Sequence, residues 1–541
     1  AWSPDGTMLA FSMLVPEPYP TLDVTLPSAP RGAEWADKPR VIRRVNHEAD
    51  GSGDIEPGFR HLFVIPAEGG TPRQVTTGDY QHGPDFDWLP DGSGLVFSAN
   101  RQENWELDFR ASELHRVDLE DGTTVALTDR DGPDRSPVVS PDGRRVAYLG
   151  FDDRVRTFQN TRLSVRDLEG GAARVIAGDL DRSLGNITWG ADGHIYATYL
   201  DRGMNRLMRV GLEGEITEMT DALGGLAIGR PYTSGAYSVS DAGVVAFTHG
   251  TALRPSDVAV LEGGETRVLT DLNSDLLDHR SLGDVEEITW QAPDGLEIQG
   301  WIVRPPNAEP GRQYPMLVEN HGGPIAAYGP QFSAEVQLFA ADDYVVFYPN
   351  PRGSTGYGEA FADALYHDYP GDDYHDVMAG VDAVIAAGGV HPDSLYVTGG
   401  SAGGVMTAWM VGNTDRFRAA AVVKPVVNWI SKTLVADNYY GYAEYRYPGQ
   451  PWENPMAYWN ESPISVVGNV STPTMVMVGT SDRRTPPSEA LQLYHALRLR
   501  DVPTAYVEIP GASHNIANRP SQLAAKVAYI LAWFDEHRGD E

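Results

Sequence analysis

A serine among glycines, then an aspartate and a histidine that each follow an apolar run, are residue types that can form a nucleophile and its base. Ser401 lies in Gly399-Gly400-Ser401-Ala402-Gly403-Gly404. The strand-like Leu395-Tyr396-Val397-Thr398 precedes it and the helix-like Val405-Met406-Thr407-Ala408-Trp409-Met410 follows. Strand, tight glycine turn and helix is the setting in which G-x-S-x-G exposes a serine on a strained elbow. The glycines permit unusual dihedrals and leave room around the hydroxyl. The helix start beneath favours a developing negative charge. The pattern alone is weak, because chance supplies on the order of a few tenths of a match in a glycine-rich chain. The alternative is a simple glycine turn.

A serine hydroxyl needs a base within hydrogen-bond reach, and the base needs an orienting carboxylate. Asp482 sits just past the apolar run Thr474 to Val478, in Gly479-Thr480-Ser481-Asp482-Arg483-Arg484-Thr485-Pro486-Pro487. Its other reading is a cap for the helix expected near Pro487. His514 follows the run Ala505 to Ile509 and is the expected base; the rival His495 lies inside the helical run Ala490 to Leu499. A tetrahedral intermediate needs two backbone donors. One is expected from Ala402 and the second from His321-Gly322-Gly323-Pro324, with Gly323 favoured. A plain glycine turn is the alternative there.

These residues need a scaffold. From Ile288 onward, apolar runs (Met316–Val318, Tyr344–Phe347, Leu395–Val397, Ala420–Val423, Thr474–Val478, Ala505–Ile509) alternate with helix-like stretches. Val377, Val381, Val384 and Ile385, and later Leu523, Val527, Ile530 and Phe534, keep helical spacing. Apolar strands alternating with amphipathic helices predict a mostly parallel sheet covered on both faces.

The first half reads differently. Ser3-Pro4-Asp5-Gly6 recurs as Leu89-Pro90-Asp91-Gly92, Ser140-Pro141-Asp142-Gly143, Gly190-Ala191-Asp192-Gly193 and Ser240-Asp241-Ala242-Gly243. The last four start 51, 50 and 50 residues apart, at positions 89, 140, 190 and 240. A second series of turns (Ala67-Glu68-Gly69, Leu119-Glu120-Asp121-Gly122, Leu168-Glu169-Gly170, Leu212-Glu213-Gly214, Leu261-Glu262-Gly263) interleaves with it. About four strands and two hairpin turns per period describe one propeller blade. About five blades are visible, truncated at the start, and the Pro-rich stretch Pro16 to Pro30 is expected as a long loop. The expected division is a β-propeller over residues 1–275 and a catalytic α/β domain over residues 276–541.

At 541 residues the chain is too long for one ordinary core. Its formal charge of −33 argues against nucleic acid and anionic membranes as partners. The absence of cysteine rules out thiolate catalysis, thiolate metal sites and disulfides. Only four of the 42 basic residues are lysine. The sequence starts inside a repeat and without methionine, so the expectation is that its native N-terminus is missing. With no leader in the sequence at hand a cytoplasmic location is expected; a periplasmic or secreted form stays open, as does homo-oligomerisation.

As an ordered set, these motifs resemble the prolyl oligopeptidase family of serine peptidases, whose members join a β-propeller to an α/β-hydrolase domain. The match spans essentially the whole chain and includes His321-Gly322-Gly323-Pro324, Asn350-Pro351-Arg352-Gly353-Ser354-Thr355-Gly356-Tyr357-Gly358, Gly399 to Gly404, Asp482 to Pro486, and His514. Histidine before the double glycine looks like the acylaminoacyl-peptidase branch; other branches carry a tyrosine whose hydroxyl helps form the oxyanion hole. Arg484 matches an arginine that, in acylaminoacyl peptidases, contacts substrate near its C-terminal side. It would then bind a peptide carboxylate, or else form a structural ion pair. Val478-Gly479 departs from the family's frequent His-Gly.

The resemblance implies a serine peptidase for short peptides, acylaminoacyl-peptidase- or oligopeptidase-like, with carboxypeptidase action open and no metal or organic cofactor. A propeller would cover the site and select short or unfolded peptides. A carboxylesterase or small-amide hydrolase with the same triad is the second reading. A propeller binding protein with an inert hydrolase domain is the third. Val427, Trp429 and Ile430 are open between pocket wall and core.

Overall fold

The computed structural model describes residues 1–539. Eight strands of the C-terminal half form one sheet: β1 (Val285–Gln291), β2 (Glu297–Val303), β3 (Tyr314–Asn320), β4 (Val345–Asn350), β5 (Val390–Ser401), β6 (Ala419–Pro425), β7 (Thr474–Gly479) and β8 (Thr504–Ile509). Their order is β1-β2-β4-β3-β5-β6-β7-β8. β1 and β2 pair antiparallel, as do β2 and β4, and every later pair is parallel.

The central strands are apolar on both faces because helices cover both. Met316, Val318, Leu395, Val397, Val422, Val476 and Val478 point to one side. There they meet α2 (Asp373–Ala387), α3 (Ala402–Asn413) and α5 (Pro487–Leu499). The alternate residues Leu317, Tyr396, Val423, Met475 and Met477 point to the other side, against α1 (Ala334–Ala341) and α6 (Pro520–Asp535). Period-two alternation with two buried faces is what a doubly covered parallel sheet demands. A further helix, α4 (Trp429–Val435), follows β6. The C-terminal ends of β3, β5, β6, β7 and β8 share one edge of this sheet, where ligands of such sheets bind.

The N-terminal half is antiparallel. Its strands form consecutive meanders: Met8–Pro16 with Gly58–Pro66 and Arg73–Gln74, then four strands over 86–126, four over 134–176, and an eight-stranded sheet over 184–268. The eight-stranded sheet is two meanders joined by the single pair Leu223–His249. Neighbouring meanders stack through shared cores. Leu62 and Val64 meet Leu95 and Phe97; Val96 and Leu114 meet Val146 and Tyr148. Leu149 and Leu163 meet Ile195 and Met208; Tyr196 and Leu207 meet Val245 and Phe247. The glycine of each of these repeated turns, Gly6, Gly92, Gly143, Gly193 and Gly243, has φ between 68° and 80°. No pairing among the described residues joins the first meander to the last into a closed ring.

The long first interval has a local cause. Met8–Pro16 and Gly58–Pro66 pair in unbroken register, from Met8–Pro66 to Pro16–Gly58. Residues 17–57 are an insertion at that strand junction. It runs without regular structure to residue 47 and ends in a small hairpin, Glu48–Ala49 with Gly53–Asp54. None of the described helices is long and apolar enough to cross a membrane.

Candidate active site

Ser401 ends β5 and caps α3 with φ 63° and ψ −122°, a strained conformation for a residue with a side chain. The turn tolerates it because its glycines let chain segments touch. A Cβ on Gly403 would lie 2.0 Å from the Asn320 carbonyl oxygen, and one on Gly399 would lie 2.4 Å from that of Gly403.

His514 comes from the loop after β8 and Asp482 from the loop after β7. The Ser401 Oγ–His514 Nε2 distance is 3.0 Å and the His514 Nδ1–Asp482 Oδ2 distance is 2.9 Å. Asp482 is 2% exposed. It accepts from the Arg484 and Thr485 amides at 3.0 and 2.8 Å and from the Thr485 hydroxyl at 3.0 Å. These donors fit an ionised carboxylate that takes a proton-bearing Nδ1, leaving Nε2 as acceptor for the serine hydroxyl. Asp482 does not cap α5, whose N-cap is Pro486. His495 lies inside α5.

Burial pulls the His514 pKa below the usual histidine value, and the nearby Lys424 ammonium adds to that; Asp482 and Asp50 oppose it. Lys424, at the end of β6, donates from Nζ to the His514 carbonyl at 2.7 Å. Burial, then Arg230 and Lys526, push its own pKa down to about 7.

Ala402 opens α3, so its amide is one of those without an intrahelical acceptor. Gly323, at φ 128°, lies in the loop after β3, and its amide donates to no protein acceptor among the described residues. Both residues line a cavity of about 890 Å3 together with Ser401 and His514. His321 turns away from this cavity. Its ring sits 2.8 Å from the Gly322 carbonyl through Nδ1 and 2.9 Å from Ser354 Oγ through Nε2. Burial depresses its pKa to about 4, so the ring is neutral.

Arg484 lines the cavity, yet Asp437 holds its Nε at 2.7 Å and its Nη2 at 3.0 Å. The bidentate pair is the structural alternative weighed from sequence. Trp429 lines the cavity with Val426, whereas Val427 belongs to the core under the sheet.

Sequence reasoning missed residues supplied by the N-terminal half. The hydroxyl of Tyr232, in the segment between strands Ile216–Leu223 and Tyr237–Val239, accepts from the Gly322 amide at 2.7 Å. Arg230, two residues earlier and 9% exposed, pairs with Glu319 at 3.1 Å and Glu335 at 3.4 Å. Asp50, at the tip of the inserted hairpin, accepts from the His514 amide at 3.0 Å and the Arg483 amide at 2.9 Å. Its own amide donates to Asp437 at 2.8 Å. Asp50-Gly51 is a turn signal, but no local pattern says what the turn touches.

The arrangement can move a proton from a serine to an imidazole held by a buried carboxylate, beside amides able to bind an oxyanion. Comparison with known proteins agrees with that chemistry. A model described as the prolyl oligopeptidase family matches residues 330–541. An uncharacterised peptidase of Bacillus subtilis, YuxL, is 30% identical over 99% of this chain and 82% of its own length. Dipeptidyl-peptidase 5 of Aspergillus oryzae is 27% identical over 84% of this chain and 65% of its own length. Among solved structures, the acylaminoacyl peptidase of Pyrococcus horikoshii superposes with a TM-score of 0.82 at 22% identity, covering 100% of this chain and 81% of that one. A puromycin-hydrolyzing peptidase of Mycobacterium tuberculosis gives a TM-score of 0.67 at 20% identity, covering 89% and 83%. At those identities the structural likeness speaks for the fold alone.

Proposed function

Because the chain belongs to the prolyl oligopeptidase family of serine peptidases, we propose that it hydrolyses short peptides through an acyl-enzyme on Ser401. The observation that carries this reading is the continuous chain Asp482–His514–Ser401 opening on a cavity that both halves line. Ser401 Oγ attacks the substrate carbonyl while His514 Nε2 takes its proton; Asp482 holds the imidazole and stabilises its charged form. The Ala402 and Gly323 amides receive the oxyanion. His514 then returns the proton to the leaving amine, and water hydrolyses the ester by the same steps in reverse roles.

Within this activity the substrate class is acylaminoacyl-peptidase- or oligopeptidase-like, supported by the family to which the chain belongs and by His321 before the double glycine of the oxyanion loop. Removal of C-terminal residues is a further mode, for which Arg484 at the cavity wall is the candidate. We also propose that the stacked meanders close into a propeller over the cavity, as their repeat length and shared cores favour.

The test is mass spectrometry of products from matched short peptides, N-acetylated, free and C-amidated, with Ser401→Ala as control. Cleavage that falls about 10,000-fold or more in Ser401→Ala is expected. Release of one N-blocked residue supports the acylaminoacyl mode; release from the C-terminal end, blocked by amidation, supports the carboxypeptidase mode. Wild-type protein that cleaves esters but no peptide overturns the peptidase reading.

A further inference from the structure

The cavity beside Ser401 has one lobe whose chemistry the triad does not use. Its wall is Ala402, Val405, Val426, Trp429 and Tyr442. At its end lie Lys432, Asn438 and Arg446. Lys432 is 1% exposed. Its Nζ donates to Asn438 Oδ1 at 2.8 Å and rests 3.9 Å from the centre of the Tyr442 ring. The Arg446 guanidinium stands 5.5 Å from the same ring centre.

Neither cation has a carboxylate partner among the described residues. Two acids close enough to feel the Lys432 charge are already engaged. Asp437 binds Arg484. Glu489 accepts from the Val427 and Asn428 amides and the Ser431 hydroxyl. A buried ammonium without a counter-charge is costly, and buried charges are ordinarily paired. The contrast is sharp in a chain with 75 acidic and 42 basic residues. Elsewhere around the cavity Lys526 pairs with Glu335 at 2.5 Å and Arg230 with Glu319 and Glu335, while Lys424 donates to the His514 carbonyl at 2.7 Å. The positive field is felt locally. Burial would raise the Tyr442 pKa, but Lys432 and Arg446 outweigh it and bring the hydroxyl down to about 8.

We propose that this lobe is a subsite for a carboxylate carried by the peptide substrate, with Lys432 and Arg446 as its binding residues. Apolar walls ending in two cations suit an aliphatic stem with a terminal anion. The carboxylate has two sources: an acidic side chain beside the scissile bond, or the peptide's own C-terminus. The proposal rests on the reading of Ser401 as nucleophile only in placing the lobe beside the scissile bond.

Binding to the Ser401→Ala protein tests it without requiring turnover. Four short N-acetylated peptides are compared by calorimetry: Glu or Gln beside the scissile position, each with a free or an amidated C-terminus. A charged hydrogen-bonded contact predicts about 10- to 100-fold tighter binding of a carboxylate form over its neutral isostere. Loss in Gln assigns the site to the side chain; loss on amidation assigns it to the C-terminus. In either case the preference disappears in Lys432→Met and weakens in Arg446→Gln, the second variant serving should the first not fold. Equal binding of all four peptides overturns the proposal. Carboxylate-selective binding in a wild-type protein that cleaves no peptide would overturn the peptidase reading and leave this one standing.

Discussion

His514 is held between opposing fields, and the balance sets when it can act as a base. Burial and Lys424 favour the neutral ring; Asp482 and Asp50 favour the charged one. The net result is a pKa below the usual histidine value, so the neutral, proton-accepting form persists to lower pH than in an ordinary histidine. Removing the Lys424 charge makes protonation of His514 easier and raises its pKa. Lys424→Met is therefore expected to move the acidic limb of the kcat/KM profile to higher pH. Its lost hydrogen bond to the His514 carbonyl costs about 1 kcal/mol of stability. A limb that stays in place or moves to lower pH would contradict this account.

Three loops after β3, β7 and β8 and the elbow after β5 meet at one sheet edge, but the sheet does not hold them alone. The inserted hairpin ties two of them together through Asp50, which takes the amides of His514 and Arg483. Arg483 also pairs with Glu48 and, at 3.3 Å, with Asp54 of the same hairpin. The Asp50 carboxylate accepts hydrogen bonds from backbone amides only, so it is a positioning residue. Asp50→Ala frees both loops, and misplacement of a base by about 1 Å costs on the order of 100-fold in rate. The expected result is kcat lowered about 10- to 100-fold with KM and thermal midpoint little changed. An unchanged kcat would assign the hairpin a purely structural role.

On the scale of the whole molecule the cavity lies between the halves. Arg230 and Tyr232 from one side meet Gly322, Glu335 and Ser401 from the other. Ion pairs also join the halves, Arg156 on Asp363 at 2.6 Å and Arg154 on Glu359 among them. Under the proposed peptidase function substrates must fit this space, which is of the size that encloses small ligands. A tripeptide is expected to be cleaved at least about tenfold faster than a peptide of about 30 residues with the same scissile residues. Arg230→Met leaves Glu319 without its ion-pair partner and breaks a pair that spans the halves, a change of about 3–5 kcal/mol. It should narrow that size discrimination, read from product rates on both peptides. Equal rates on both in the wild type would remove the cavity as a filter.

The sequence by itself determined whatever rests on local periodicity and on motifs at strand ends. Period-two and helical spacings in residues such as Val397 and Val381 required a sheet buried on both faces. Ser401, Asp482 and His514 were legible because each follows a strand of that sheet, and strand ends of one sheet share an edge. The Asp-Gly turns marked the meanders, since only glycine accepts those turns at no steric cost. Whether the meanders close into a ring was not written in their spacing. Only the tertiary structure decided what long-range approach decides. It placed Asp437 on Arg484, 47 residues apart in sequence. It brought Asp50 to His514 across 464 residues and Tyr232 to Gly322 across 90. The last two contacts form where the halves dock, and docking depends on the summed shape and charge of both surfaces rather than on a pattern in either segment.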